Sequence, residues 1–321
     1  MTLRIAVVLI GRNEGVRLVA SLASLSGQGL RVVYVDSGST DGSVAAARAA
    51  GAEVVELDTT MPFTAARARN AGFAALAPDL PDAVQFIDGD CIVVPGWIDR
   101  AVAALMADDS IGLVTGWRSE IHPNASVYNA LCEHEWHRPA GEITACGGDM
   151  MVRVAAYQEV GGFDGSIIAA EDDEFCQRLR KAGWHLIRLP HPMTRHDAAM
   201  RTFGQWWRRA VRTGHGFAQV GDMHPGYFAR ERARVWGYGL VLPLLAFAGF
   251  FWFPLLVAVV AAYAISYVKT AQGLRKSGMA PRAALHQAVF LSLSKFPNLI
   301  GMLTYRLRKR RGAAMRIIEY K

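Results

Sequence analysis

Ala83-Val84-Gln85-Phe86-Ile87-Asp88-Gly89-Asp90 is the stretch on which the reading of this chain turns. Its first five residues form a short, largely apolar run of the kind that makes a buried strand. Two carboxylates one residue apart follow it. In extended backbone, positions i and i+2 face the same side, so Asp88 and Asp90 converge beyond the strand end. Convergent oxygen ligands suit a hard divalent cation that keeps positions open for phosphates. Asp-Gly is also common turn chemistry, and taken alone the segment reads equally well as a polar turn.

The residues on either side supply a frame for those carboxylates. Leu3–Ile10, Arg31–Val35 and Glu53–Leu57 read as strands; Gly15–Ser26, Asp41–Ala50 and Thr64–Ala77 read as helices, the last stopped by Pro78. Strands alternating with helices of this length imply βαβ units and a parallel sheet. Such sheets bind ligands beyond the carboxyl ends of their strands. Arg12-Asn13-Glu14, Asp36-Ser37-Gly38-Ser39-Thr40-Asp41 and Asp88-Gly89-Asp90 all follow strands, so they are expected on one edge. The first strand is followed by neither GxGxxG nor GxxxxGK[ST], which argues against a dinucleotide fold and a P-loop. Further along, Ile111–Trp117, Gly148–Arg153 and His185–Leu189 read as strands, Glu171–Ala182 as a helix, and Met200–Val220 as one or two amphipathic helices.

From Val235 the character changes. The 33 residues 236–268 contain no charged side chain, and Pro243 and Pro254 interrupt them. At about 1.5 Å per helical residue they exceed what the roughly 30 Å hydrocarbon core of a bilayer requires. A helical hairpin breaking near Phe253-Pro254, or one long tilted or kinked span, accounts for this. Basic residues flank both ends (Arg230–Arg234; Lys269, Arg275, Lys276), which favours the hairpin with both flanks cytoplasmic. Residues 283–305 form a third apolar segment, either a further helix or an amphipathic one lying in the interface, before a basic tail. The expected division is a domain over 1–225 and a membrane-associated helical region over 226–321.

The net charge of +7 is uneven, with basic clusters in the apolar C-terminal part. That pattern points to an anionic membrane surface, and the absence of a zinc finger, RNP-like signature or basic heptad region argues against nucleic acid. Cys91, Cys132, Cys146 and Cys176 include no CxxC pair and read as reduced, mostly buried thiols. The apolar run 5–10 is too short for a secretory leader, so the expected placement is the cytoplasmic membrane with the first domain facing the cytoplasm.

Taken in order, several stretches resemble the family 2 glycosyltransferases: 35–43, Ala68-Arg69-Asn70-Ala71-Gly72, Phe86–Asp90, Gly147-Gly148-Asp149-Met150-Met151-Val152-Arg153, Val160–Asp164 and Glu171-Asp172-Asp173-Glu174-Phe175. The resemblance covers about residues 4–200. It implies a GT-A fold, a nucleotide-binding, mixed and mostly parallel α/β sheet flanked by helices and merged with an acceptor-binding half. It also implies transfer of a sugar from a nucleotide-diphosphate donor with inversion, assisted by Mg²⁺ or Mn²⁺.

Roles follow for individual residues. By resemblance Asp88 contacts the donor's ribose or sugar and shares the metal site with Asp90, with His196 as a further ligand and His191 as its competitor. Arg12, Asn13 and Glu14 stand where the family has nucleotide contacts. Asp36, beside Ser37 at the end of the second strand, is placed to bind the base or ribose. Asp41 reads equally as a helix cap. Arg69 is a charge-assisted donor for diphosphate, or the partner of Asp36 or Asp41 in an ion pair. The family's Glu-Asp pair falls on Glu171 and Asp172, making Asp172 the candidate general base and Asp173 its rival. Gly147 and Gly148 permit close backbone approach to the donor sugar, and Asp149 is a candidate acceptor for a sugar hydroxyl.

The expected acceptor is a lipid-linked, polyprenyl-type or envelope glycan, handled alongside other envelope-glycan proteins. Gln205-Trp206-Trp207-Arg208-Arg209 is close to the Gln-x-x-Arg-Trp signature of processive synthases but has Arg209 where the Trp belongs. A processive synthase and a non-catalytic sugar-nucleotide-binding scaffold are the rival readings.

Overall fold

A computed structural model describes residues 3–319. The chain divides after Ala199 into two compact units. The first holds strands β1 (Ile5–Gly11), β2 (Arg31–Asp36), β3 (Glu53–Glu56), β4 (Ala83–Asp88), β5 (Cys91–Val93), β6 (Ile111–Glu120), β7 (Gly141–Glu142), β8 (Met150–Arg153) and β9 (His185–His196). Its helices are α1 (Val16–Leu25), α2 (Ser43–Ala49), α3 (Ala65–Ala75), α4 (Trp97–Ala107), α5 (Val127–Trp136), α6 (Val154–Glu159) and α7 (Glu171–Lys181).

All nine strands join one sheet in the order β3-β2-β1-β4-β8-β6-β9-β5, with β7 paired to β9. The β3-β2-β1-β4 portion is parallel, as the alternation of strands and helices requires. Strand β8 then runs antiparallel to β4 and β6, making the sheet mixed. Two apolar layers cover its faces. Val8, Val33, Phe86, Met150 and Phe175 belong to one, and Val7, Leu9, Tyr34, Ile87 and Trp97 to the other. Alternate residues of a single strand feed opposite layers, as the period of two in extended chain dictates.

Local chemistry explains the element ends. The Thr64 hydroxyl accepts the Arg67 amide and starts α3, and α7 opens on four carboxylates and closes on Arg178, Arg180 and Lys181, matching the helix dipole at both ends. Strand β9 runs on to His196 rather than stopping at Leu189, because Thr194 and His196 pair with β5 on one side and β6 on the other.

The second unit is helical: α8 (Phe203–Met223), α9 (Ala229–Trp236), a π-helical turn over Gly237–Val241, α10 (Leu242–Gly249), α11 (Phe253–Lys276), α12 (Pro281–Leu293) and α13 (Lys295–Arg310). Helix α8, which lies before the 225/226 boundary expected from sequence, packs along α13 and so groups with the C-terminal helices. The uncharged stretch folds as a hairpin that turns at Phe250–Trp252, with Pro243 and Pro254 in the first turns of their helices, where proline costs least. Among the described residues one helix, Phe253–Lys276, is long and apolar enough to cross a membrane. The third apolar segment is broken at Ser294 into α12 and α13.

Candidate active site

The loops after β1, β2 and β4 meet at one edge of the first unit. The Asn13 amide donates to Ser39 Oγ at 2.8 Å and its side-chain oxygen accepts the Thr40 amide at 2.7 Å, tying the β1 and β2 loops together. Asn13 adopts a positive φ of 56°, a conformation that asparagine tolerates better than most residues. Asp36 is nearly fully buried and serves this loop itself, accepting from Tyr34 Oη, from the Gly38 and Ser39 amides and from Ser39 Oγ. Ser37 is buried beside it, its amide bonded to the Gly11 carbonyl. Asp41 accepts the Ser43 amide one residue before the N-cap of α2, which is Gly42, so it braces the start of that helix without being its cap residue. Arg12 lies exposed with its guanidinium 4.7 Å from the Phe63 ring centre, and Glu14 pairs with Arg17.

Asp88-Gly89-Asp90 is both a turn and a cluster of ligand atoms. The Gly89 amide bonds to the Ile10 carbonyl, fixing the turn on β1. The two aspartates then diverge in role. Asp88 sits between two guanidiniums, Arg69 Nη2 at 2.9 Å and Arg118 Nη2 at 3.4 Å. Burial opposes the charge on Asp88, but those two cations outweigh it and hold its pKa below the ordinary range. Asp90 faces His196, whose Nε2 stands 3.0 Å from Asp90 Oδ1. His191, the competing histidine, lies beside Arg100 instead.

Arg69 resolves its two expectations in an unexpected way. It is 2% exposed and pairs with Asp88 and, through Nη1 at 2.8 Å, with Glu171, not with Asp36 or Asp41. Gly148 makes this possible, since a Cβ there would come within 2.1 Å of Arg69 Nη2. Asp149 is equally enclosed. It accepts the Asp88 amide at 3.1 Å, Arg118 at 2.8 and 3.0 Å, and Thr194 Oγ1 at 2.6 Å, and its side chain has no exposed surface. It therefore anchors Asp88 and Arg118 from below and offers no free oxygen surface to a sugar hydroxyl.

Asp172 begins α7 beside Glu171 and Asp173. Burial first, then the charges on Glu171 and Asp173, push its pKa well above the ordinary carboxylate range, against a smaller opposing pull from Arg69. A Cβ at Gly147 would stand 4.0 Å from both Asp172 Oδ2 and Arg118 Nη2, so the surface above Gly147 is flanked by a carboxylate of raised proton affinity and a cation.

Arg118 and Thr194 were given no role from sequence, where Trp136 reads, with Trp117, Trp206 and Trp207, as a side chain that either stacks on a sugar ring or simply packs. A charge closing the apolar run of β6 was the available signal for Arg118, which lies opposite Thr194 in the ladder. Trp136 packs against Arg118 and edge-on against His196, with ring centres 4.7 Å apart in the second contact. Only the three-dimensional pairing of α5 with β6 and β9 reveals it.

A carboxylate and an imidazole brought together, with Cys91 Sγ near enough to complete a group whose ligand atoms lie within 4.8 Å of one another, can hold a divalent ion. His196 Nδ1 is buried with no hydrogen-bond partner among the described residues. The donor set therefore fits a borderline-hard cation of the Mn²⁺ type.

Residues 6–161 match the family described as glycosyl transferase family 2, and residues 130–201 match one described as the N-terminal domain of galactosyltransferase. The chain belongs to the family 2 glycosyltransferases. This is an inverting family, and the mixed sheet is its GT-A fold. Among curated relatives, the pre-mycofactocin glycosyltransferase of Mycobacterium tuberculosis is 28% identical over 238 residues, 69% of this chain and 48% of that protein. The N-acetylglucosaminyl-diphospho-decaprenol L-rhamnosyltransferase of the same organism is 27% identical over 224 residues, 58% of this chain and 72% of that protein. This chain thus spans about half the length of the first of these relatives. The mannosyltransferase from Pyrobaculum calidifontis, solved with GDP-Man and Mn²⁺, superposes with a TM-score of 0.59 at 19% identity, covering 97% of this chain and 88% of that one. Glucosyl-3-phosphoglycerate synthase of M. tuberculosis, solved with Mn²⁺ and UDP, gives 0.51 at 19% identity over 68% of this chain and 79% of that one. At such identities the likeness is one of fold.

Proposed function

We propose that this family 2 glycosyltransferase moves a single sugar from a nucleotide-diphosphate donor to a lipid-linked or envelope-glycan acceptor at the cytoplasmic face of the membrane. The observation that carries the reading is the convergence on one edge of the first unit of the Asp90–His196 pair, the doubly clamped Asp88 and Asp172, whose carboxylate has a raised proton affinity.

The donor's nucleoside is assigned to the loops after β1 and β2, where Arg12, Asn13 and Ser37 frame the edge. Arg118 and Arg69 hold Asp88 ionised and oriented as the contact for the donor's ribose or sugar. Asp90 and His196, with Asp88 beside them, would hold Mg²⁺ or Mn²⁺, which would supply Lewis-acid stabilisation of the diphosphate charge. Asp172 takes the proton of the acceptor hydroxyl. The hydroxyl oxygen bonds to the anomeric carbon while the bond from that carbon to the diphosphate oxygen breaks, its electron pair leaving with the diphosphate. Attack from the face opposite the leaving group inverts the centre. Asp173 and Glu171 keep supporting roles: both raise the proton affinity of Asp172, and Glu171 also pairs with Arg69.

The polyprenyl-type acceptor is supported by the name of the decaprenol-linked relative and by the apolar C-terminal hairpin. A thermal-shift panel of UDP-, GDP-, dTDP- and CMP-sugars with Mn²⁺, followed by transfer assays with and without EDTA, tests it. At least one donor is expected to raise the melting temperature and to be turned over only with metal. Binding with no metal-dependent turnover would establish the scaffold reading instead.

A further inference from the structure

The hairpin of α10 and α11 turns its apolar residues outward. Phe250, Phe251, Trp252 and Phe253 at its tip are 77%, 85%, 62% and 71% exposed, and Phe247, Val257 and Val260 continue the surface along both arms. Such a patch marks an interaction site in a soluble or membrane protein alike. Three observations identify what covers it.

Charge is the first. Basic residues stand at the open end of the hairpin and none near its tip: Arg230 and Arg234 lead into it, Lys269, Arg275 and Lys276 lead out. The second is the backbone. At the tip the amides of Phe250, Phe251 and Trp252 donate to Phe247, Ala248 and Gly249, so the turn meets its hydrogen-bonding needs internally. Hydrocarbon imposes that requirement and water does not.

Reach is the third. Helix α11 as a whole is long enough to cross, but its uncharged part from the tip to Val268, like the other arm, holds about 16 residues, or about 24 Å of helix, against the roughly 20 a crossing needs. Of the aromatic side chains with polar handles, Trp236, Tyr238, Tyr263 and Tyr267 lie toward the open end, and Trp252 at the tip is the exception. Tyr263 Oη donates to the Tyr238 carbonyl at 2.6 Å, putting both at one level across the hairpin. Trp236 lies under the Arg306 guanidinium at 4.7 Å, and Tyr267 Oη donates to the Leu285 carbonyl. Trp and Tyr favour the headgroup level. With Tyr238 and Tyr263 there, the tip lies roughly 17–20 Å deeper, just past the midplane of a core about 30 Å thick.

We infer that the α10–α11 hairpin enters one leaflet of an anionic bilayer and returns without crossing it, with the basic open end bound to headgroup phosphates. The inference rests on the membrane attachment proposed above and adds its depth and its lipid.

All four native cysteines are buried, so single introduced cysteines report cleanly. The full-length variants Phe251→Cys, at the tip, and Ser277→Cys, at the open end, are bound to vesicles of equal parts phosphatidylcholine and phosphatidylglycerol and recovered by flotation. Impermeant maleimide is then supplied either outside or trapped inside. The open-end thiol of Ser277→Cys is expected to react from outside. The tip thiol of Phe251→Cys is expected to react from neither side until detergent is added. Bimane attached to the tip thiol should be quenched more by bromines deep in the acyl chain than by shallow ones. Removing phosphatidylglycerol should weaken binding at least about tenfold, since each surface-bound Lys or Arg contributes appreciably. Failure to float would remove membrane attachment itself. Flotation with the tip thiol labelled by trapped reagent would leave attachment standing and overturn the one-leaflet geometry. Labelling of the tip thiol from outside would show that the tip is not inserted. Binding indifferent to phosphatidylglycerol would overturn the headgroup assignment.

Discussion

The two units of this chain dispose of their side chains in opposite ways. The first buries charge: Arg69, Asp90, Asp149, Glu171 and His196 all lie beneath its surface. The second exposes hydrocarbon along α10 and α11 and is held inside by close backbone approach, a Cβ at Gly301 coming within 1.9 Å of the Val211 carbonyl oxygen. Buried charge is tolerable only when each group has its counter-ion, so the first unit is a network in which one residue's removal strands another. Exposed hydrocarbon is tolerable only with something other than water against it.

Asp172→Asn should give the largest effect and sharpen that contrast. Loss of a general base lowers kcat by about 10²–10⁴-fold. Stability should move the other way. The folded-state pKa of Asp172 is raised, chiefly by burial and then by Glu171 and Asp173. A raised carboxylate contributes stability that is fully present below its unfolded value near 4 and lost as pH rises through the folded one. As pH rises above the unfolded value, the unfolded chain gains the ionised carboxylate while the folded site resists it, so wild type loses stability and Asp172→Asn does not. Urea denaturation of both proteins from acid to neutral pH should show Asp172→Asn more stable at pH 7, with the difference vanishing in acid. Turnover of wild type should correspondingly fall on the acid side at a higher pH than an ordinary carboxylate would give. Full activity of Asp172→Asn would transfer the base role to Asp173.

Arg69→Leu attacks the network directly. It leaves Asp88 with Arg118 alone and Glu171 without its cation, and breaking a buried pair from one side costs about 3–5 kcal/mol. A change below about 1 kcal/mol in chemical denaturation would show that these carboxylates do not depend on Arg69.

Gly301→Ala tests the second unit by the opposite means, adding an atom where none fits. Helices α8 and α13 must separate, and overpacking of this kind costs about 1–3 kcal/mol. Gly214→Ala meets the Asn298 carbonyl oxygen at 2.0 Å on the same interface. One separation relieves both clashes, so the double variant should lose less than the sum of the singles in thermal unfolding. Strict additivity would mean that the two glycines act at independent contacts.

The sequence announced the parallel half of the sheet and the site's carboxylates because both are local signals. Apolar runs such as Val7–Ile10 mark buried strands, and Asp88, Asp90 and Asp172 stand at element ends within short motifs. What it concealed depends on pairing at a distance. Strand β5 is three residues long, and β7 is two residues with no apolar pattern, existing only because β9 runs past them. Helix α5 carries Asn129 in its first turn and His134 and Glu135 in its last, and shows little amphipathic pattern. Arg69 could not be assigned its partners, because Asp88 and Glu171 lie 19 and 102 residues away. The same ignorance put Asp149 in contact with sugar, when four hydrogen bonds from three elements enclose it.

Gly147 should give the smallest stability effect and the clearest separation of structure from chemistry. Its neighbour Gly148 is required by packing, since any side chain there displaces Arg69. Gly147 is not. It is exposed, its φ is not in the left-handed region, and a Cβ would meet only ordinary contacts at 4.0 Å. Gly147→Ala should therefore change unfolding free energy by no more than about 0.5 kcal/mol, as surface substitutions usually do. The new methyl nonetheless stands between Asp172 and Arg118, where the Gly147-Gly148 motif was expected to let the backbone approach the donor sugar. A rise in KM or a fall in kcat, growing from Ala to Val, is expected on an unchanged fold. Kinetics identical to wild type for both variants would show that no substrate passes over Gly147 and would move the sugar away from the gap between Asp172 and Arg118.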